Sequence, residues 1–347
     1  MSPDLPIPVA LIGYGFAGRT FHAPLIGAVP ALSLAVVASR DADRVHADLP
    51  GVDVLADPLH AAVDPRIELV VIASPNDTHA PLARAALAAG KHVVVDKPLT
   101  PDLADARALV ELAQRGGRLL SVFHNRRWDS DFLAVREAVD AGRIGEVVHL
   151  ESRIERFRPQ VRDRWREQAV PGGGLWWDLG PHLVDQALQL LGRPDTVLAS
   201  VAAQRDGAQA ADWAHAVLAF GSRRAVLHAS VLAAAAGARF VVHGTRGSVV
   251  KRRPDPQEAQ LIAGVRPGDA AWGVDDDALE WHDDRGGVQS LPTPRGDQSR
   301  YYAGIAAALR AGGANPVTPR DALDVMAVLE AAERSAATGR AVEPDWR

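Results

Sequence analysis

Two groups of residues in this sequence could move a proton. In the stretch Gly174-Leu175-Trp176-Trp177-Asp178-Leu179-Gly180-Pro181-His182-Leu183-Val184-Asp185, a carboxylate stands four residues before an imidazole and another three after it. On one helix the three would share a face, and a carboxylate can orient a histidine whose ordinary pKa near 6.5 suits proton exchange near neutrality. Pro181 suits a first helical position, so the regular helix is expected to begin there, with Asp178 just ahead of it. The plainer readings are that Asp178 caps the helix and His182 is a half-buried structural histidine. A metal held by Asp178, His182 and Asp185 is disfavoured, since no second histidine shares the motif; no metal is expected. Asp185 is assigned to packing or to a neighbouring hydrogen bond.

The second group is a single amine. Val93-Val94-Val95-Asp96-Lys97-Pro98 puts Lys97 after an apolar run, and Pro98 holds it extended. The chain has three lysines (Lys91, Lys97, Lys251), and every other one of its 38 basic residues is arginine. Arginine stays protonated, whereas a lysine in a low-dielectric cleft can shift its pKa and take part in proton transfer. A surface lysine after a strand is the plain alternative.

These groups need a frame. The first third of the chain alternates apolar β-branched runs (Val9 to Ile12, Leu34 to Ala38, Leu69 to Ile72, Val93 to Val95, Leu119 to Phe123) with segments of helical period. Continuous rather than alternating runs suit strands buried on both faces, and the strand–helix order predicts a doubly wound parallel sheet. Lys97 then lies at the carboxyl end of a central strand, outside which such sheets bind ligands. Gly13-Tyr14-Gly15-Phe16-Ala17-Gly18 follows the first strand and opens a helix. Gly13 permits the turn, Gly15 lets backbone approach a pyrophosphate, Gly18 lets helix and strand pack closely, and the helix N-terminus favours phosphate. A tight turn without ligand is the alternative. Beyond the second strand stands Ser39-Arg40 rather than the acid that would bind a free ribose 2′-OH, with Asp41 one step on. A hydroxyl and a guanidinium fit a 2′-phosphate, so NADP is favoured over NAD. A solvated Arg40, or an inward Asp41, would reverse that.

After about Phe123 the pattern changes. A helix is expected near Asp131 to Ala141, a strand over Val147 to Arg156, and a helix ending before Gly192. Several strands with no intervening helix follow from Thr196 to Ala263, suggesting an antiparallel sheet. Gly264 to Pro294 reads as irregular loop, and two helices, Asp297 to Ala311 and Pro319 to Thr338, close the chain. The expected fold is α/β, a Rossmann domain over 1–123 followed by an α+β domain over 124–347.

Three motifs in order, Gly13-x-Gly15-x-x-Gly18, Ser74-Pro75-Asn76-Asp77-Thr78-His79 and Gly90-Lys91-His92 to Asp96-Lys97-Pro98, resemble the Gfo/Idh/MocA oxidoreductase family. The family usually has Glu where Asp96 stands. The resemblance implies that the second domain carries a large open, mostly antiparallel sheet. It also implies that Tyr14, Phe16, Ala17, Ser74, Pro75, Asn76, His79, Asp96, Lys97 and Asn125 join the glycines and Ser39-Arg40 around the cofactor. Lys97, Asp178 and His182 map onto the family's catalytic trio. His124-Asn125-Arg126-Arg127-Trp128-Asp129 and Arg164-Trp165-Arg166-Glu167 further resemble the subgroup containing NADP-dependent scyllo-inositol dehydrogenases. Arg127 and Trp165, with Lys97, Asp178 and His182, are therefore expected to meet a polyol or sugar, through donors for hydroxyls and a flat face for a ring. Another sugar or sugar-acid dehydrogenase is the near alternative. A non-catalytic dinucleotide sensor is the remote one, and the presence of Lys97 and His182 argues against it.

Composition narrows the remainder. In 347 residues there is no cysteine, so disulfides, thiolate metal sites and cysteine nucleophiles are excluded. A net charge of −5 disfavours a nucleic-acid or anionic-membrane surface. Neither a basic leader at Met1–Pro6 nor a membrane-length apolar run is evident, so a cytoplasmic protein is expected. An open sheet face would need covering, which makes a homodimer or homotetramer the expectation by resemblance.

Overall fold

The computed structural model describes residues 5–347; Met1 to Asp4, part of the stretch read for a leader, lie outside the described residues. The chain divides into two compact units. One comprises the chain up to Asn125 with Gln257–Trp272 and Asp297–Leu323; the other comprises Arg126–Pro256, Gly273–Gly296 and Asp324–Arg347.

The first unit is built on a parallel sheet of β1 (Ile7–Ile12), β2 (Leu32–Ala38), β3 (Asp53–Leu55), β4 (Leu69–Ile72), β5 (His92–Val95) and β6 (Leu120–Val122), in the order β3-β2-β1-β4-β5-β6. Residues 9–11, 69–72 and 93–95 are wholly buried, as uninterrupted apolar runs require when helices cover both faces. The crossovers are α1 (Ala23–Gly27), α2 (Ala42–Asp48), α3 (Pro58–Val63), α4 (His79–Ala88) and α5 (Leu103–Gly116). Gly117 stops α5 at φ +59, where a side chain would be strained. The strand order reverses between β1 and β4, and such a switch point leaves a crevice at the strands' carboxyl ends. Later chain completes this unit. Within Asp297–Leu323, the Tyr301 hydroxyl donates to Ser121 Oγ at 2.8 Å, and Asn315 Nδ2 donates to the Leu120 carbonyl at 2.9 Å. Arg310 grips both oxygens of Glu68, at 2.6 and 2.9 Å.

The second unit carries an eight-stranded sheet: β7 (Val147–Glu155), β8 (Thr196–Ala202), β9 (Trp213–Phe220), β10 (Arg223–Ser230), β11 (Phe240–Gly244), β12 (Gly247–Lys251), β13 (Leu279–Asp283) and β14 (Val288–Leu291). Its order is β14-β13-β12-β11-β7-β10-β9-β8, antiparallel throughout except where β7 runs parallel to β10. Helices α6 (Ser130–Asp140) and α7 (Leu175–Leu191) pack on one side. On the other, the registers align Leu198, Val217, Val226, Glu151 and Val241 in a row across five strands, all half-buried or exposed. The remaining helices are α8 (Gln257–Ile262), α9 (Ser299–Arg310) and α10 (Pro319–Thr338).

Three local expectations need correction. Gly264 to Pro294 is not all loop, because β13 and β14 lie within it. They end the sheet, and a largely polar, half-exposed edge reads like a loop in sequence. Helix α8 interrupts the run expected to hold only strands, and at six residues it is too short to show a period. Pro181 does not open its helix but lies inside α7. Gly174, at φ +86, lets the chain turn into the helix at Leu175 instead. Burial of Leu175, Trp176, Trp177 and Leu179 offsets the backbone bond that Pro181 cannot make.

Candidate active site

The glycine-rich turn follows β1, and the chain is helical from residue 16 to 27, with a widened turn at Gly18–His22 ahead of α1. Its glycines serve different ends. At Gly13, with φ +99, a Cβ would lie 2.7 Å from the Ala73 carbonyl oxygen; at Gly18 it would lie 2.0 Å from the Gly13 carbonyl oxygen. Those two are required by packing. A Cβ on Gly15 would meet no protein atom within 4 Å, so the bare backbone there faces open space. A pyrophosphate fits that opening. Tyr14 turns aside to donate to Asp48 at 3.2 Å, and burial, then the Asp48 carboxylate, push its phenol up to about 12. Phe16 is more than half exposed beside the turn.

At the end of β2, Ser39 Oγ accepts from the Asp41 amide at 3.1 Å. Asp41 is the N-cap of α2: it accepts from the Arg44 amide at 3.0 Å and pairs with the Arg44 guanidinium at 3.3 Å. Its charge is thereby directed toward its own helix. Arg40 is exposed and enters no hydrogen bond or ion pair among the described residues.

Beyond β4, the Ser74 and Thr78 hydroxyls are hydrogen-bonded at 2.5 Å, Pro75 is exposed, and Asn76 is buried in the short turn before α4. His79 opens α4 wholly buried, its Nδ1 2.9 Å from the Pro98 carbonyl oxygen and its Nε2 3.0 Å from that of Ser74. One imidazole therefore spans from the end of β4 to the turn that carries Lys97. That turn is also held from beneath, because Asp96 Oδ1 accepts from the Lys97 amide at 2.8 Å. His22, bonded to Tyr302 at 2.6 Å, lies 3.9 Å from the same oxygen. The Lys97–Pro98 peptide is cis. Asn125, buried, begins the turn after β6.

In the second unit Asp178 lies in the first turn of α7 and His182 one turn on, so both are on one helix face. Arg166 Nε approaches Asp178 at 3.4 Å. Trp165, just before it, carries the Arg166 guanidinium over its ring at 4.5 Å. Arg127 is buried in a two-pronged pair with Asp185, at 2.6 and 2.9 Å, which braces α7 one turn beyond His182. A further brace escaped the sequence reading: buried Arg239 joins Asp131 on α6 (3.1 Å), Ser152 on β7 (2.7 Å) and Gln186 on α7 (2.6 Å). No spacing could reveal it, since its members are brought together only by the sheet. Of the three residues expected to move protons, Lys97 thus belongs to the first unit, and Asp178 and His182 to the second. Among the described residues no cluster of His, Asp or Glu is placed to hold a metal ion, and no helix is long and apolar enough to cross a membrane.

Comparison with known proteins agrees with this description. Residues 7–124 match the NAD-binding Rossmann fold of an oxidoreductase family, and residues 136–343 match that family's C-terminal alpha/beta domain. The chain is 52% identical over 333 residues to the uncharacterised oxidoreductase YdgJ of Escherichia coli K12, covering 95% of this chain and 96% of that protein. It is 35% identical over 343 residues to the scyllo-inositol 2-dehydrogenase (NADP(+)) IolW of Bacillus subtilis 168, covering 97% and 95%. The solved structure of YPO2259 from Yersinia pestis is similar with a TM-score of 0.94 at 49% identity, covering 99% of each chain.

Proposed function

Because the chain belongs to the Gfo/Idh/MocA oxidoreductase family, we propose that it moves a hydride between NADP and a secondary alcohol or ketone of a cyclitol, polyol or sugar. The supporting observation is the pairing, in one parallel sheet, of an open backbone at Gly15 with a clamped Lys97 turn at the end of β5. Scyllo-inositol and its ketone, an inosose, are the first compounds to assay, as the substrate class of IolW. The same chemistry on another sugar or a sugar acid is the alternative, favoured by the arginines around Asp178. Residues 1–123 hold the dinucleotide, through Gly13 to Ala17, Ser74 to Asn76, His79, Asp96 and Lys97, joined by Asn125 just beyond them. Ser39 and the uncommitted Arg40 favour NADP over NAD. Residues 124–347 meet the substrate and a second copy, through the sheet face opposite α6 and α7, in a homodimer or homotetramer.

The bound nicotinamide supplies the hydride acceptor. In oxidation, His182 takes the hydroxyl proton as general base. Lys97 donates a hydrogen bond to the same oxygen and stabilises its developing negative charge. Asp178 orients His182 or a substrate hydroxyl, while Arg127 and Trp165 flank the ring. The test is absorbance in the reduced-nicotinamide band with NADP or NAD and a panel of inositols and hexoses. Lys97→Met and His182→Ala are each expected to lower turnover on the order of 10²–10⁴-fold while NADP still binds. Near-normal turnover in either variant would refute the assignment.

A further inference from the structure

We propose that His22 is a positioning residue for Lys97, aiming its Nε2–H at the Asp96 carboxylate that fixes the Lys97 backbone. This rests on the dehydrogenase reading above and adds to it a group that meets neither cofactor nor substrate. His22, Asp96, Lys97 and Tyr302 all lie in the first unit.

The widened turn behind the glycine-rich motif ends at His22, where the Ala23 amide reaches back five residues to the Gly18 carbonyl. Such a turn inserts one residue into a helix, and turns of this kind are frequent at functional sites. Here it delivers a wholly buried imidazole against the Phe123 ring, 4.3 Å between centroids, and beside Tyr302. An aliphatic side chain would fill that space without leaving a polar atom unpaired. His22 does leave one: its Nε2 is buried and makes no hydrogen bond among the described residues. An orphaned atom of this kind is costly and calls for a reason. The group it faces is Asp96, whose Oδ1 lies 3.9 Å away.

The tautomer follows from the other nitrogen. His22 Nδ1 is 2.6 Å from the Tyr302 hydroxyl, which has no other hydrogen-bond partner among the described residues. Burial, then Tyr301 and Asp96, hold that phenol well above the usual tyrosine range, so it keeps its proton and donates it. Nδ1 is therefore the accepting nitrogen, and Nε2 carries the hydrogen. At 3.9 Å an N–H makes no hydrogen bond to a carboxylate, yet inside a buried site it still attracts the oxygen. That same Oδ1 accepts from the Lys97 amide at 2.8 Å. With the proton on Nδ1 instead, a bare lone pair would oppose the carboxylate. Tyr302, His22, Asp96 and Lys97 thus form a series in which each member directs the next, while His79 holds the Pro98 side of the same turn.

The experiment compares His22→Gln with His22→Met, using the inositol or hexose that the protein turns over. The two side chains are similar in length, but only glutamine donates an N–H. If packing alone mattered, methionine would serve at least as well. In His22→Met, kcat is expected to fall at least about tenfold while KM stays within about threefold, because a displaced Lys97 loses its transition-state contact. In His22→Gln, kcat is expected to stay within about threefold of the unmutated protein. Equal kcat in the two variants, or a higher one in His22→Met, would overturn the role while leaving the dehydrogenase reading intact. If melting curves show that either variant fails to fold, Tyr302→Phe decides, since it removes only the hydroxyl. A kcat lowered more than KM changes supports the series, and any other result overturns it. If the unmutated protein turns over no compound, the dehydrogenase reading fails instead. Hydrogen exchange of the Lys97 amide, followed by mass spectrometry, then decides the positioning alone: faster exchange in His22→Met than in His22→Gln supports it, and equal or slower exchange overturns it.

Discussion

Arg40 is an exposed guanidinium at the end of β2, while its acidic neighbour Asp41 is occupied by the helix it caps. A 2′-phosphate there would gain a charge-assisted bond worth roughly 1.5–3 kcal/mol. Arg40→Ala is therefore expected to raise KM for NADP about 10–100-fold and to change KM for NAD little; steady-state kinetics with both cofactors checks it. An unmutated protein that prefers NAD would contradict the assignment. At this scale the sequence was most legible where chemistry is local. Ser39-Arg40, Asp96-Lys97-Pro98 and the four-residue step from Asp178 to His182 are visible as adjacent letters. The arginines around Asp178 were only partly so. Arg164 and Arg166 lie in a motif, but Arg205 reaches Glu167 across 38 positions through the sheet that follows. The pairing of Arg127 with Asp185 across 58 positions was likewise invisible.

Among the elements, the glycine-rich turn offers a controlled comparison. Gly18→Ala places a methyl into the Gly13 carbonyl and is expected to lower the melting temperature sharply or prevent folding. Gly15→Ala adds the same methyl where no protein atom stands. It is expected to leave the melting temperature within a few degrees while weakening dinucleotide binding at least tenfold, measured by fluorescence titration. Unaltered binding in Gly15→Ala would mean that no dinucleotide approaches there. An ion pair anchors α9 to the parallel sheet. The Arg310 guanidinium holds the Glu68 carboxyl below its usual range, so the folded chain binds fewer protons there than the unfolded one. That contribution is whole above the unfolded pKa of about 4.3 and is lost as pH falls through the lower folded value. Glu68→Gln is expected to remove this part of the acid limb and to cost about 1 kcal/mol near neutrality, read from urea unfolding against pH. Strands buried on both faces were plain in the sequence because their apolar runs are unbroken. Edge strands β3 and β14, and β13 beside the latter, were not, because polar, half-exposed residues look the same in a loop.

For the whole molecule, the row formed by Leu198, Val217, Val226, Glu151 and Val241 leaves apolar surface on one side of the eight-stranded sheet. Sedimentation is expected to show two or four copies, and Val226→Arg, at the middle of that row, is expected to shift the protein to single copies. Sedimentation as one copy without mutation would remove this surface from the proposed assembly. The chain also passes between its two compact units five times, and the first is finished only by Asp297–Leu323. Until that segment leaves the ribosome, Ser121 and Glu68 lack Tyr301 and Arg310, so the nucleotide-binding half is expected to reach its full stability only late in synthesis. Premature termination anywhere before α9 is thus expected to leave a less stable chain rather than a smaller working part.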